Sequence, residues 1–396
     1  MKNLTKLFLG AVSAAGLFAA SPAMAQDAAA PAAPAAAPVP MPAMAGPLAN
    51  NPAPYSVDLS GAGFDWLLGK VYLSGALTGG VVGQTNQAAG DKNTDVDLFN
   101  GMAVAQKTDG FFQWYVQAGA YATPTLGTAY TSSSNNTTGT FSSFPQGYIK
   151  LVPTDSLSIQ AGKLPTLIGA EYEFTYENMN VERGLLWSQE PAVSRGAQVN
   201  YTAGPLSISA ALTDGYYSDR YNQLSGLIAY GFNGGADTVS LVGSGNLGHT
   251  YYGRAGSSAF QNNSSIFNAI YTHVSGNWTI TPYFQYATGN SFPGYGGQTT
   301  SSTSGAILAS YALNDFWHLA GRFEYVSTSG PTNVLYGVGS NAFTFTVTPT
   351  WQYKALFVRP ELSYVSAGST TAGSALGPVG NNTDQFRGVL EAGILF

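Results

Sequence analysis

The last eleven residues, Phe386-Arg387-Gly388-Val389-Leu390-Glu391-Ala392-Gly393-Ile394-Leu395-Phe396, constrain this chain more than any other segment. Side chains of an extended strand alternate between its two faces. Phe386, Leu390, Ala392, Ile394 and Phe396 therefore share one face, and Arg387 and Glu391 share the other. A strand with an apolar face, charges behind it and a terminal aromatic suits the wall of a transmembrane β-barrel, where one face meets lipid and the other a watery lumen. A soluble sandwich can produce one such strand, but here the pattern recurs to the end of the chain.

Composition points the same way. Aromatic residues make up 13% of the chain and charged residues only 9%, against ~25% charged in soluble proteins. Beyond the N-terminal leader, no stretch approaches the ~18 apolar residues of a membrane-spanning helix. The net charge of −6 is no footprint for nucleic acid. With no cysteine, the chain has no disulfide, thiolate metal site, thiol nucleophile or lipidated cysteine.

Lys2 and Lys6 precede an apolar run from Leu7 to Ala20, and Ala23-Met24-Ala25 offers small residues for cleavage. Residues 1–25 read as a secretory signal peptide, cleaved near Ala25. Residues 26–69 read as an Ala/Pro-rich periplasmic spacer and the lead-in to the barrel. Asp27 to about Pro54 is nearly uncharged and too small in bulk to bury a core. Residues 55–69, with Phe64-Asp65-Trp66-Leu67-Leu68, are expected to form a short helix or turn. Residues 70–396 are the expected barrel.

Within 70–396 the pattern is strand, short turn, strand, long loop. Clear strands are expected over Phe111–Tyr121, Leu206–Leu212, Trp278–Thr288, Trp317–Val326, Phe343–Trp351 and Leu356–Val365. Short polar turns fall at Lys107–Gly110, Pro153–Ser156, Ala203–Pro205, Asn233–Ala236, Ser275–Asn277, Leu313–Asp315 and Tyr353–Lys354. Gly/Ser/Asn/Thr-rich loops begin near residues 84, 123, 164, 213, 244, 288, 329 and 366. Seven turns and eight loops join sixteen strands, with short turns periplasmic and long loops outside. The expected fold class is all-β: a transmembrane antiparallel β-barrel of about 16 strands. Two strands, around Val96–Gln106 and Val239–Gly243, alternate poorly. Pro282, Pro349 and Pro360 lie inside expected strands on the outward face, which calls for a bulge or a gap in the ladder.

The third long loop, Leu164 to about Val193, is the longest. It holds Glu171, Glu173, Glu177, Glu182 and Glu190 against Arg183 alone. An acidic loop folded into a lumen sets both pore size and charge selectivity, whereas a solvated outward loop does neither. The opposing wall is basic. Arg322 and Glu324, Arg359 and Glu361, and Arg387 and Glu391 lie mid-strand on polar faces, and Lys150 alternates similarly. A charge facing lipid at that depth costs ~2–4 kcal/mol, which favours the lumen. The reading is an acidic loop (Glu171, Glu173, Glu177, Glu182, with Arg183) facing a wall lined by Lys150, Arg322, Glu324, Arg359, Glu361, Arg387 and Glu391. Such an arrangement would set a field across a narrow pore; the plainer alternative is mutual neutralisation of the Arg/Glu pairs.

Other motifs carry less. Gly243-Ser244-Gly245-Asn246-Leu247-Gly248 spells a dinucleotide fingerprint, but no helix pattern follows it. Asp91-Lys92-Asn93-Thr94-Asp95 starts like a calcium loop but has Val96 and Met102 where glycine and glutamate belong. His249, His273 and His318 show no catalytic spacing, so no catalytic, cofactor or metal residue is expected.

Several short motifs appear in order: Gly162-Lys163-Leu164, Gly169-Ala170-Glu171, Asn180 to Arg183, Glu190-Pro191, Arg195-Gly196 and Thr213-Asp214-Gly215. Gly321-Arg322-Phe323-Glu324-Tyr325 and Val358-Arg359-Pro360-Glu361-Leu362-Ser363-Tyr364 follow near the C-terminus. Over roughly residues 70–396 this series resembles the OmpL-like outer-membrane porins, the β-barrel porin-2 group. The chain departs in Ala170, where an aromatic often follows the glycine, and in its Ala/Pro spacer. The resemblance implies an outer-membrane channel for small hydrophilic solutes and ions, a homotrimer in the lipid of a Gram-negative outer membrane, and no cofactor. Insertion by the barrel-assembly machinery through the strand ending in Phe396 is also expected. The rival readings are a selective channel for sugars or hydrophobic nutrients, with Tyr115, Tyr283 and Phe357 facing inward; an outer-membrane hydrolase on a barrel scaffold; and an adhesin or envelope tether using the spacer.

Overall fold

The structure is a computed structural model that describes residues 55–61, 63–215, 218–249, 264–289 and 298–396. The expected signal peptide and Ala/Pro spacer lie outside the described residues. Seventeen strands follow in order: β1 (Tyr55–Asp58), β2 (Lys70–Gln84), β3 (Thr94–Lys107), β4 (Phe112–Tyr121), β5 (Gln146–Thr154) and β6 (Leu157–Pro165). Next come β7 (Val193–Ala203), β8 (Leu206–Thr213), β9 (Gln223–Phe232), β10 (Asp237–Asn246), β11 (Ser264–Ser275) and β12 (Trp278–Gly289). The chain ends with β13 (Thr300–Ala312), β14 (Trp317–Ser329), β15 (Asn341–Tyr353), β16 (Leu356–Gly368) and β17 (Asp384–Leu395). One short helix, α1 (Ser133–Gly139), sits in the second long loop.

Sixteen of these, β2 to β17, pair antiparallel in chain order, and β17 closes onto β2 from Leu395↔Ala76 to Arg387↔Gln84. In lipid no water can satisfy a free backbone edge, so a strand-built span must close on itself. The expected seven turns and eight loops all stand at their places in the strand order.

The C-terminal strand faces as its alternation requires. Arg387 and Glu391 are buried while Phe386, Leu390 and Phe396 are exposed. Aromatics band the outer surface. Tyr364 packs on Phe343 and on Phe386, with centroids 6.1 and 4.6 Å apart, and Trp278 packs on Tyr311 at 4.6 Å. Amphipathic rings at membrane interfaces produce such girdles.

The lead-in departs from the expected helix or turn. Its first four residues form β1, which pairs with β2 from Tyr55↔Leu73 to Asp58↔Lys70. The reason is an open edge. β17 ends level with Gly75, which exchanges both backbone hydrogen bonds with Phe396 at 2.6 and 3.0 Å. The start of β2 would otherwise have no partner on that side, and β1 supplies one. A turn does form at 64–68, where the Leu67 and Leu68 N–H groups both donate to the Phe64 carbonyl.

The two poorly alternating strands have distinct causes. In β3 the register shifts where Thr78↔Asn100 gives way to Gly79↔Leu98, leaving Phe99 as an extra residue. A bulge switches the face on which every later residue falls, so Phe99 and Asn100 are both buried. In β10 the inward Val242 packs in an apolar interior cluster, so polarity does not mark its face. The prolines sit at gaps. The β15–β16 ladder breaks between Val347↔Leu362 and Trp351↔Val358, and the flanking register puts Pro349 opposite Pro360. The β11–β12 ladder breaks beside Pro282, between Ile270↔Tyr283 and His273↔Ile280.

Deleting residues 55–58 strips the lower part of β2 of its partner, at ~0.5–1.5 kcal/mol for each backbone hydrogen bond lost. The heat-modification midpoint of the barrel in detergent is expected to fall by several degrees. An unchanged midpoint would mean that β1 adds nothing to the wall.

Candidate lumen constriction

The third loop, residues 166–192, lies against the inside of the wall. Three apolar contacts seat it. Leu167 and Ile168 pack on Leu227, Val242 and Ile266 of β9, β10 and β11. Phe174 and Tyr176 pack with Met102, Tyr115 and Tyr148 of β3, β4 and β5. Met179, Leu185 and Leu186 pack with Tyr283, Leu308 and Val326 of β12, β13 and β14. The loop therefore touches widely separated parts of the wall.

The charged wall residues read the loop backbone. Arg322 on β14 donates from Nη1 to Glu171 Oε1 at 2.5 Å and to the Glu182 carbonyl at 2.6 Å. Two positions along the strand, Glu324 accepts the N–H groups of Leu185 and Leu186 at 3.1 and 3.2 Å and the Thr344 hydroxyl at 2.7 Å. Arg359 on β16 donates to the Asn178 carbonyl at 2.9 Å, to the Thr175 carbonyl, and to Glu391 Oε2 at 2.7 Å. Glu361 accepts the N–H groups of Val181 and Glu182 at 2.6 and 2.9 Å. Arg387 on β17 donates to Glu182 Oε1 at 2.7 Å and to the Thr125 and Thr128 carbonyls of the second loop. Glu391 accepts the Thr175 hydroxyl at 2.6 Å. Each guanidinium thus meets loop carbonyls, and each partner carboxylate meets N–H or hydroxyl groups. A buried loop needs this pairing for its backbone.

The acidic residues divide. Glu171 and Glu182 are ion-paired to wall arginines at 2.5 and 2.7 Å. Those charges touch rather than face one another across open space, so they act as short dipoles. Glu177 accepts the Phe174 N–H, and Gln146 donates to Glu173 at 3.4 Å. Burial pushes the Glu177 carboxyl up, and the Glu173 charge pushes it the same way. Arg183 is fully buried, stacks over Trp187 at 5.6 Å, and joins the second loop through backbone bonds of 3.0 Å to Pro124 and Leu126. Lys150 stands apart from this set, beside a small cavity of about 50 Å³ at the periplasmic end with Tyr115 and Tyr148. Glycine admits the carboxylates: a Cβ on Gly184 would collide with the Glu324 carboxyl.

Several participants gave no signal in the sequence. Thr175, Asn180, Asn100 and Gln285 bond between loop and wall, and Asn178 braces the loop by donating to the Tyr172 and Phe174 carbonyls. Neutral amides and hydroxyls abound in every loop of this chain, so nothing marks these few. The motif residues Arg195 and Asp214 do meet, Nε to Oδ2 at 2.6 Å, at the base of the third and fourth loops. His273 pairs with Asp237 at 2.6 Å. Among the described residues no cluster of His, Asp or Glu is set to hold a metal ion.

A closed sixteen-stranded barrel, apolar outside and polar within, belongs to the class of outer-membrane β-barrel channels. The model of the family described as "Putative beta-barrel porin-2, OmpL-like" matches residues 70–396, and the chain belongs to that family. The family places it in the Gram-negative outer membrane. No curated protein sequence matches the chain. Among solved structures it resembles a loop-L8 deletion mutant of OmpT, an outer membrane protein of Vibrio cholerae. The TM-score is 0.56 at 14% identity, covering 82% of this chain and 99% of that one. It also resembles the outer membrane channel DcaP of Acinetobacter baumannii, with a TM-score of 0.55 at 10% identity over 82% of this chain and 97% of that one. OmpF of Salmonella typhi, solved with daunomycin, gives a TM-score of 0.53 at 12% identity over 83% and 98%. At these identities the likeness is one of fold.

Breaking one buried pair leaves the other charge stranded, at ~3–5 kcal/mol. Arg359→Met is expected to destabilise the barrel by about that much, and Arg359→Met with Glu391→Leu to recover only part of it, because the Thr175 and Asn178 carbonyls stay without their donor. Additive losses in detergent unfolding would show that the pair does not act as a unit.

Proposed function

We propose that the chain is a diffusion porin: a water-filled channel for ions and small hydrophilic solutes, narrowed by the acidic third loop against the arginine-bearing wall. The supporting observation is the seating of that loop, held on the lumen side by Arg322, Arg359 and Arg387 and by Glu324, Glu361 and Glu391. A loop held by bonds to three strands is a fixed constriction, and a fixed constriction favours small, steady conductance. Neither a cofactor nor covalent chemistry enters this reading. The assembly is a homotrimer in outer-membrane lipid, after signal-peptide cleavage near Ala25 and insertion through the C-terminal strand.

Single-channel current in a planar bilayer tests the proposal. Stable small steps in KCl are expected. Replacing residues 170–188 with a short Gly/Ser turn is expected to raise the step size several-fold. A folded, heat-modifiable barrel that passes no current in either form would end the porin reading and bring the hydrolase and tether readings forward.

A further inference from the structure

Lys150 differs from the arginines of the wall. Arg322, Arg359 and Arg387 are each ion-paired to a carboxylate. No hydrogen bond or ion pair reaches Lys150 among the described residues, and its side chain is only half-buried. A cavity of about 50 Å³ lies beside it, lined also by Gln113, Tyr115, Tyr148 and Lys107 and by no acidic residue. Lys107 is already answered, by the Asp109 carboxylate at 3.0 Å and by the Asp109 and Phe112 carbonyls. Lys150 therefore brings the cavity its one uncompensated charge.

Strand register places the cavity. Gln117 pairs with Gln146, Tyr115 with Tyr148 and Gln113 with Lys150 across β4 and β5. Val116 and Ile149, between these positions, are exposed on the outer face, so the three rows point inward. The first row touches the third loop: Gln117 donates to the Tyr176 hydroxyl at 2.9 Å and Gln146 to Glu173 at 3.4 Å. Lys150 stands two rows nearer the short β5–β6 turn, on the periplasmic side of that loop. Its partner on the other flank is Gln160 of β6. Gln160 is 1% exposed, and neither Oε1 nor Nε2 has a hydrogen-bond partner. An amide left so is costly. An unpaired ammonium, a cavity beside it and an adjoining amide without a partner together define a seat for a small anionic group.

We infer that Lys150, with Gln160 beside it, forms a subsite for the carboxylate group of a small organic acid in transit. The inference rests on the porin reading and deepens it by naming a solute class. One uncompensated positive charge matches one carboxylate. A water needs roughly 10–15 Å³ of such space, so the cavity takes a carboxylate head while the rest of the solute stays in the lumen. Directly opposed residues of an antiparallel pair have Cβ atoms ~4.5–5.5 Å apart, so an oxyanion on the Lys150 ammonium comes within reach of the Gln160 amide. A single charged contact holds the solute loosely, as conduction requires.

The test uses the mature chain purified from outer membranes, with butyrate as the probe and butyramide as its uncharged counterpart. The first readout is the KCl current through single channels as either is added. The second is saturation-transfer NMR of butyrate with the protein in detergent, which needs no open channel. Butyrate is expected to reduce the current and to receive saturation, and butyramide at the same concentration to do neither. Lys150→Gln is expected to weaken both butyrate effects several-fold and Lys150→Arg to keep them. Gln160→Leu is expected to weaken them less, and it stands in if Lys150→Gln does not fold. Butyrate that acts on Lys150→Gln as on the unaltered chain, or on neither, would overturn the inference. Inorganic phosphate that displaces butyrate at a lower concentration than butyrate itself would overturn the assignment to carboxylates. If the unaltered chain passes no current, the porin reading falls by itself. The NMR comparison then decides the subsite: a butyrate signal lost in Lys150→Gln sustains it, and equal signals remove it.

Discussion

Everything in this molecule follows from the need of a backbone in lipid to satisfy its own hydrogen bonds. Sixteen strands meet it by closing β17 onto β2. Closure then divides every strand into a lipid face and an interior face, and the two have opposite chemistry. The few places where the ladder fails are instructive. Pro349 and Pro360 cannot donate, and the flanking register sets them opposite each other, so one gap in the wall accommodates both missing donors. Where β17 runs out, β1 takes over the edge. The lapses are local, and each has a residue-level cause.

The interior poses the inverse problem. A long loop turned into a barrel brings its own peptide groups into a confined space. Here the wall answers with alternating Arg and Glu on β14, β16 and β17, guanidinium to carbonyl and carboxylate to N–H. An apolar wall could not hold such a loop, since each unpaired peptide group would cost ~1–3 kcal/mol. The arginines and glutamates are therefore a scaffold for the loop. That use explains why the charges pair at contact distance.

The architecture was legible because lipid enforces period-two alternation over long runs. Phe343 to Trp351 alternates without a break, and β15 lies over it. The inward burial of Arg322, Arg359 and Arg387 was legible for the same reason, since a mid-strand charge is costly against lipid. Where the alternation misled, a competing demand had intervened: the bulge at Phe99 reverses the faces within β3, and Val242 serves an interior apolar contact. The strand β1 was not legible, because four residues of mixed polarity carry no period. The partners of the loop were beyond reach for another reason. Which acid pairs with which arginine depends on how a 27-residue loop, 166–192, folds back across the barrel, and local pattern does not encode that path.

The path separates acids that composition had grouped. All five loop glutamates contribute equally to a charge count, yet only some of them meet an arginine. Glu171 and Glu182 spend their charge on the wall arginines, where it holds the loop. Glu190 holds nothing in place through its carboxylate, for its oxygens make no hydrogen bond.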